Sequence, residues 1–408
     1  MHMSTAALLT WALGAALLAC RARRRLNDRH RANSISAAAS ARRSRFRNQA
    51  RPAVFVVESA RELRDCLKHG LIESSDVVLE VGSQLESVTS ALSACCHFLV
   101  GVDIHRKPPS AHMKTSQFYR QHSDPSASGL SNVSFAEVDV SDVRAVAACC
   151  DGVDVDVICI DAHVFFGHDL TFEVLAMVTA LSHLLMPRCF VVKSTALTRL
   201  RQQLRPYPPV RNESASLSLH TSSTVTVVAA EWVHDYRMAA TEALEAMGSD
   251  ATCALEIGAH VGATTALLHE KLSARASTTH SYCGCIGVDV SPAIVERAQR
   301  LHPEVPFAVA DAWDMLTLKR ACPPEAHPQL ILVDVGGLSG SSGTLDALSL
   351  IRTICATFQP SLRVLVIKSS CMRALASSLR SGKAWCRNSR RSASASTAPR
   401  TGATAASN

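Results

Sequence analysis

The feature that constrains this chain most is that it repeats itself. Asp76 to Gly82 (DVVLEVG) recurs as Cys253 to Gly258 (CALEIG), with Glu80 matching Glu256. Four further pairs follow in the same order. Val100 to Asp103 (VGVD) matches Ile286 to Asp289 (IGVD), and Phe135 to Asp139 (FAEVD) matches Phe307 to Asp311 (FAVAD). Val157 to Asp161 (VICID) matches Leu330 to Asp334 (LILVD), and Phe190 to Ser194 (FVVKS) matches Leu365 to Ser369 (LVIKS). The spacings are 176, 186, 172, 173 and 175 residues. Chance supplies one such match; five in register mark a duplicated unit.

Each matched segment is a short apolar run ending in an acid or in Lys-Ser, and helix-length stretches lie between the runs. Examples are Glu62 to Lys68, Val88 to Cys96 and Ala293 to Leu301. Strands alternating with helices predict parallel sheets, and near-continuous apolar strands need both faces covered. The expected fold class is α/β, as two tandem doubly wound (Rossmann-like), mostly parallel sheets with helices on both faces. Residues 54–210 are expected to form the first unit and 225–380 the second, with a linker over 211–224. Pro206 to Pro209 and the Ser-rich stretch to Ser223 carry the linker composition. Val225 to Ala230 fits two places, the first strand of unit two or a returning edge strand of unit one. Nothing after Lys368 reads as an equivalent strand. Similar fused units are expected to pack on each other as homodimers of single units do.

Charge is partitioned between body and ends. The chain of 408 residues carries a formal +7, but residues 1–57 hold 11 Arg and one acid, and residues 380–408 hold five Arg, one Lys and no acid. The body between them is therefore −9. That balance disfavours nucleic acid as the partner of the folded part, although the basic tails offer phosphate contacts. A 47% hydrophobic, 19% charged composition excludes wholesale disorder. Residues 1–53 are expected to be a targeting or anchor segment. The Arg/Ser/Ala-rich, acid-poor stretch to Arg51 has the composition of an organelle (mitochondrion or chloroplast) transit peptide. The alternative is membrane anchoring through the apolar run Ala6 to Cys20, which is shorter than the about 20 residues of a full span. Residues 381–408 are expected to be a disordered basic tail. The 15 Cys show no zinc-site spacing, so no metal is expected, and they read as small buried hydrophobes in a reducing compartment.

In open α/β sheets ligands bind beyond the carboxyl ends of the strands, where the matched acids sit. In unit two, Leu255 to Thr265 (LEIGAHVGATT) reads as strand, glycine turn and helix start. Gly258 permits a sharp turn, Gly262 permits close approach of a ligand to the backbone, and Thr264 or Thr265 can satisfy amides of the first helical turn. There is no Gly-Lys-Ser/Thr, which excludes a P-loop, and the spacing is E-x-G-x-x-x-G rather than G-x-G-x-x-G. Followed by Gly287-Val288-Asp289, Ala310-Asp311-Ala312 and Val333-Asp334, the pattern resembles that of class I S-adenosylmethionine-dependent methyltransferases, over nearly all of both units.

The resemblance implies S-adenosyl-L-methionine as cofactor and an unidentified methyl acceptor. It implies that Glu256, Gly258 and Gly262 hold the amino-acid part of the cofactor, Asp289 the ribose hydroxyls, and Asp311 the adenine amino group. Asp334, followed by Gly336-Gly337, is implied where the sulfonium meets the substrate. Unit one departs from the pattern, with Glu86 at the place of Gly262 and Ala162-His163 after Asp161, and is expected to be a degenerate copy. Ribose 2′-O RNA methyltransferases use Lys, Asp, Lys and a late Glu. Asp334 and Lys368 occupy the middle two places and are the candidate catalytic residues, whereas Arg237 stands near the first and no late Glu follows. Three functions fit this pattern: a methyltransferase active through unit two, a ribose-directed RNA enzyme, and a non-catalytic tandem module that binds cofactor or a partner.

Overall fold

A computed structural model of the chain describes residues 52–82, 86–103, 132–150, 153–162, 171–209, 224–275, 282–340 and 343–396. The Ala6 to Cys20 run and the transit-like stretch lie outside them. Among the described residues, no helix is long and apolar enough to cross a membrane.

The first repeat supplies strands β1 (Ala53–Val57), β2 (Val77–Val81), β3 (Phe98–Asp103), β4 (Val133–Glu137), β5 (Val157–Asp161), β6 (Cys189–Lys193) and β7 (Leu204–Tyr207). The second supplies β8 (Thr226–Ala230), β9 (Cys253–Ile257), β10 (Gly284–Asp289), β11 (Phe307–Val309), β12 (Leu330–Val333), β13 (Val364–Lys368) and β14 (Leu379–Ser381). They build two seven-stranded sheets, in the orders β14-β1-β6-β5-β2-β3-β4 and β7-β8-β13-β12-β9-β10-β11. All six pairings of the second sheet are parallel. The expected tandem α/β fold is what forms. Every residue of β2 and of β9 is buried, as strands covered on both faces must be.

The two orders are the same except at one edge, where the last strand of each repeat joins the sheet of the other. Pro206 and Tyr207, which the sequence suggests are linker, pair in β7 with Ala229 and Ala230 of β8. A strand also follows Lys368 after all: β14 pairs with β1, Leu379 opposite Val54. Both were hard to see because they are three or four residues long and interrupted by Pro or Arg, so they lack the apolar run that marks a buried strand. Val225 to Ala230 is resolved in favour of the second sheet, beside β13. By compactness, β2 to β5 frame one unit, while β1, β14 and the whole second sheet belong to the other.

Repeated polar residues set the helix starts. Ser194 and Ser369 follow β6 and β13 and cap helices α5 (Thr195–Gln203) and α11 (Ser370–Ser378), accepting from Leu197 N at 3.1 Å and Met372 N at 3.2 Å. The duplicated Lys-Ser is therefore a strand end followed by a cap. Asp314 caps α9 (Met315–Ala321) in the same way. The tail expected to be disordered is instead helical over Gly382–Ser396 (α12). Its apolar residues explain the difference: Trp385 stacks edge-on against Phe55 at 5.3 Å, and Cys386 is 7% exposed. Residues 397–408 lie outside the described set.

Candidate functional site

In the second sheet β9 lies between β10 and β12, with β11 beyond β10 and β13 beyond β12. Counted from β9 this is the 3-2-1-4-5 order of doubly wound nucleotide-binding folds, and the order reverses between β9 and β12. Gly258, Asp289 and Asp334 follow or end the three strands around that switch point, and Lys368 ends the next.

The turn after β9 runs through two glycines in the left-handed region, Gly258 at φ +84° and Gly262 at φ +79°, with His260 between them at φ +49°. A Cβ on Gly258 would collide with the backbone carbonyl of Asp334. A Cβ on Gly262 would meet the Phe307 ring, with Cε1 at 2.8 Å, and His302 Cδ2 at 3.2 Å. The room beside Gly262 is thus filled by protein rather than kept for a ligand, which corrects the sequence-based reason for that glycine. Room remains further along: nothing lies within 4 Å of where a Cβ would stand on Gly336 or Gly337.

Helix α7 (Ala263–Ser273) starts at Gly262, which has no side chain to cap it. The two threonines expected to serve its amides are turned to other partners. Thr265 Oγ1 donates to Glu256 Oε2 at 2.5 Å, and Thr264 Oγ1 accepts from Arg237 Nε at 3.0 Å. Tyr236, on α6 (Val233–Met247), donates its hydroxyl to Glu256 Oε1 at 3.3 Å. Glu256 is 2% exposed, and burial pushes its carboxyl up to about 7, against the lowering effect of the Thr265 and Tyr236 hydrogen bonds. Asp334 raises it further and Arg237 lowers it. With both oxygens engaged, Glu256 ties β9 to the helices beside it.

Asp289 is half-buried and braces the turn, Oδ2 accepting from His260 N at 3.1 Å and Oδ1 from Ser291 N at 3.1 Å. Asp311 is exposed and accepts from Trp313 N at 3.0 Å. Large apolar side chains close to these acids stand open to solvent, Val290 at 65% and Trp313 at 50%. Asp334 and Lys368 form an ion pair, Nζ to Oδ2 2.6 Å, about a quarter exposed on each side. Ser369 Oγ holds the Leu338 carbonyl at 2.5 Å, which ties the glycine turn after Asp334 to the end of β13.

The fold therefore brings Asp334 and Lys368 into contact and sets Asp289 against the glycine turn. Among the described residues, Asp311 makes no hydrogen bond or ion pair with them, its carboxylate accepting from Trp313 N. Sequence reasoning missed Tyr236, Phe307 and the His260 amide. Phe307 opens a matched segment and carried a visible signal, whereas Tyr236 lies in an ordinary amphipathic helix and offered none. A cavity of about 460 Å³ lies elsewhere, lined by Leu204, Val227, Ile351, Arg352 and Met372 among others, and none of the sequence-predicted site residues lines it. No protein-family model matches the chain, and no curated protein matches it.

Proposed function

We propose that the second repeat is a methyltransferase unit that binds S-adenosyl-L-methionine beyond the carboxyl ends of β9, β10 and β12. One observation carries the proposal: Asp289 and Asp334 stand at strand ends on either side of the switch point, Asp289 bracing the turn after β9, and exposed Val290 and Trp313 lie beside Asp289 and Asp311. In this reading Asp289 accepts from the ribose hydroxyls, as the acid ending the second strand does in nucleotide folds. Asp311 takes the adenine amino group, with Val290 and Trp313 supplying apolar surface for the flat base. The open space at Gly336 and Gly337, next to Asp334, is left for the sulfonium and the acceptor.

The cofactor supplies an activated methyl group on positively charged sulfur. The protein's part is to align the acceptor behind that carbon and to receive the acceptor's proton. In this reading Asp334 takes the proton, and Lys368, 2.6 Å away, holds its carboxylate in place. Glu256, both oxygens occupied by Tyr236 and Thr265, acts on the turn from within the fold rather than on the cofactor's ammonium. The methyl acceptor is an unidentified substrate, and the N-terminal segment directs the chain to an organelle or to a membrane.

The ribose-directed RNA enzyme is the second reading, favoured by the Asp334–Lys368 contact. It predicts RNA binding that weakens steeply with salt. Methyl transfer from labelled S-adenosyl-L-methionine to protein, RNA and small-molecule fractions, with wild type and Lys368→Ala in parallel, separates the two. Label in the RNA fraction selects the second reading, and no label in any fraction leaves the non-catalytic module.

A further inference from the structure

The exchanged strand β14 is held by helix α12, which packs against β1 and against α1 (Ala60–Lys68). The backbone comes close here: a Cβ on Gly382 would stand 2.6 Å from Val57 Cγ1 and 3.0 Å from Cys66 Sγ. Lys383 Nζ reaches Glu58 at 3.0 Å, and Trp385 meets Phe55. In the middle of this contact two thiols face one another. Cys66 Sγ and Cys386 Sγ are 3.5 Å apart, in residues 0% and 7% exposed. They are 320 positions apart in sequence.

We propose that Cys66 and Cys386 are a redox clasp, in which a disulfide between them locks the exchanged strand β14 and its helix onto β1. A disulfide bond is about 2.05 Å long, so the sulfurs must close by roughly 1.5 Å, a distance within reach of side-chain rotation. Among the described residues, the other exchanged edge, at β7, has no such thiol pair. At the 173-residue spacing that relates β1 and α1 to β8 and α6, Cys66 falls on Ala239. The edge at β7 is held by hydrogen bonds instead, Tyr207 to Glu242 at 2.6 Å and Arg373 to the Tyr207 carbonyl at 3.0 Å.

The oxidant is a low-molecular-weight disulfide such as oxidised glutathione. Cys386, the more exposed of the pair, attacks one glutathione sulfur as thiolate and releases one glutathione as thiol. Cys66 then attacks the Cys386 sulfur of the mixed disulfide and releases the second. Two protein thiols become one disulfide, and their two protons leave on the two released glutathiones. Burial pushes the Cys66 thiol well above its ordinary range, so the exchange is slow while α12 is docked and proceeds when the helix lifts.

The test uses the full chain in glutathione buffers of graded ratio, with alkylation and peptide mapping. The expected result is a linked peptide pair containing Cys66 and Cys386, reversed by dithiothreitol, with amide exchange at Leu379 to Ser381 slowed about tenfold or more. Cys66→Ser and Cys386→Ser each abolish both effects. If a variant fails to fold, the wild-type map alone decides. Alkylatable or singly glutathionylated cysteines at every ratio would overturn the proposal, as would a linked pair that leaves β14 exchange unchanged.

Discussion

Glu80 and Glu256 stand at matching places, one residue before the ends of β2 and β9, each opposite a glycine of the next strand, Gly101 and Gly287. Each accepts from a threonine 9 residues on, Thr89 at 2.8 Å and Thr265 at 2.5 Å. They differ in a second donor. Tyr236 reaches Glu256, whereas the same 173-residue spacing puts buried Leu63 at that place in the first repeat. Burial pushes Glu80 up to about 8, with Asp161 and Asp103 adding to the rise, and Glu256 to about 7. The second repeat keeps more polar support beneath its turn. It also packs Phe307 to 8% exposure against Gly262, while Phe135 of the first stays half-buried. The duplicated fold is thus common to both halves, and the differences collect under one strand-end turn.

The two repeats are expected to differ most in activity. Asp334→Asn is expected to lower methyl transfer about a thousandfold, while Asp161→Asn in the first repeat leaves it within about twofold; equal losses in a transfer assay would remove the distinction between the halves. Next comes the turn. Gly258→Ala meets both a positive φ and the Asp334 carbonyl, and is expected to cost about 2–4 kcal/mol in denaturant unfolding. Gly336→Ala, with open space around it, should cost less than about 0.5 kcal/mol.

The buried glutamates predict a pH dependence. A carboxyl raised in the fold keeps a proton that the unfolded chain releases, so its stabilising effect is fully present below the ordinary Glu range. It is lost as pH rises, through about 7 for Glu256 and about 8 for Glu80. The slope approaches about 1.4 kcal/mol per pH unit for one group. Glu80→Gln should flatten the decline up to about pH 8, and Glu256→Gln only up to about pH 7, as chemical unfolding at a series of pH values would show. Tyr236→Phe removes a donor to Glu256 whose matching place in the first repeat is held by Leu63. It should cost about 1 kcal/mol and bring the Glu256 profile toward that of Glu80.

Much of this was legible from five repeated segments, because a fully covered parallel strand needs an unbroken apolar run and the chain shows ten of them in register. Buried β2 and β9 and the acids at the strand ends follow from that pattern. The strand exchange does not, since Leu204–Tyr207 and Leu379–Ser381 are held by hydrogen bonds at a sheet edge rather than by apolar character. Helix α12 was hidden for a related reason: its Ser, Arg and Ala content resembles a solvated tail, and its docking rests on a few residues, Gly382, Lys383, Trp385 and Cys386. At the site, the strand-end rule found Asp289 and Asp334. It misjudged Gly262 because close approach by Phe307 and close approach by a ligand demand the same residue. Gln329 and Asp156 show the same limit. Each accepts from a strand amide, Cys253 N and Val77 N, both at 2.9 Å, and neither role is visible without the neighbouring strand.

On the proposed reading, the second repeat alone holds the cofactor. It is tested most directly by calorimetric titration of S-adenosyl-L-methionine into the full chain and into Asp289→Asn, Asp311→Ala and Asp139→Ala. The account predicts one site per chain, weakened tenfold or more by the first two substitutions and unchanged by the third, which alters an exposed acid at the matching place in the first repeat. Absence of binding to the wild-type chain, or a loss with Asp139→Ala that the other two do not share, would contradict it.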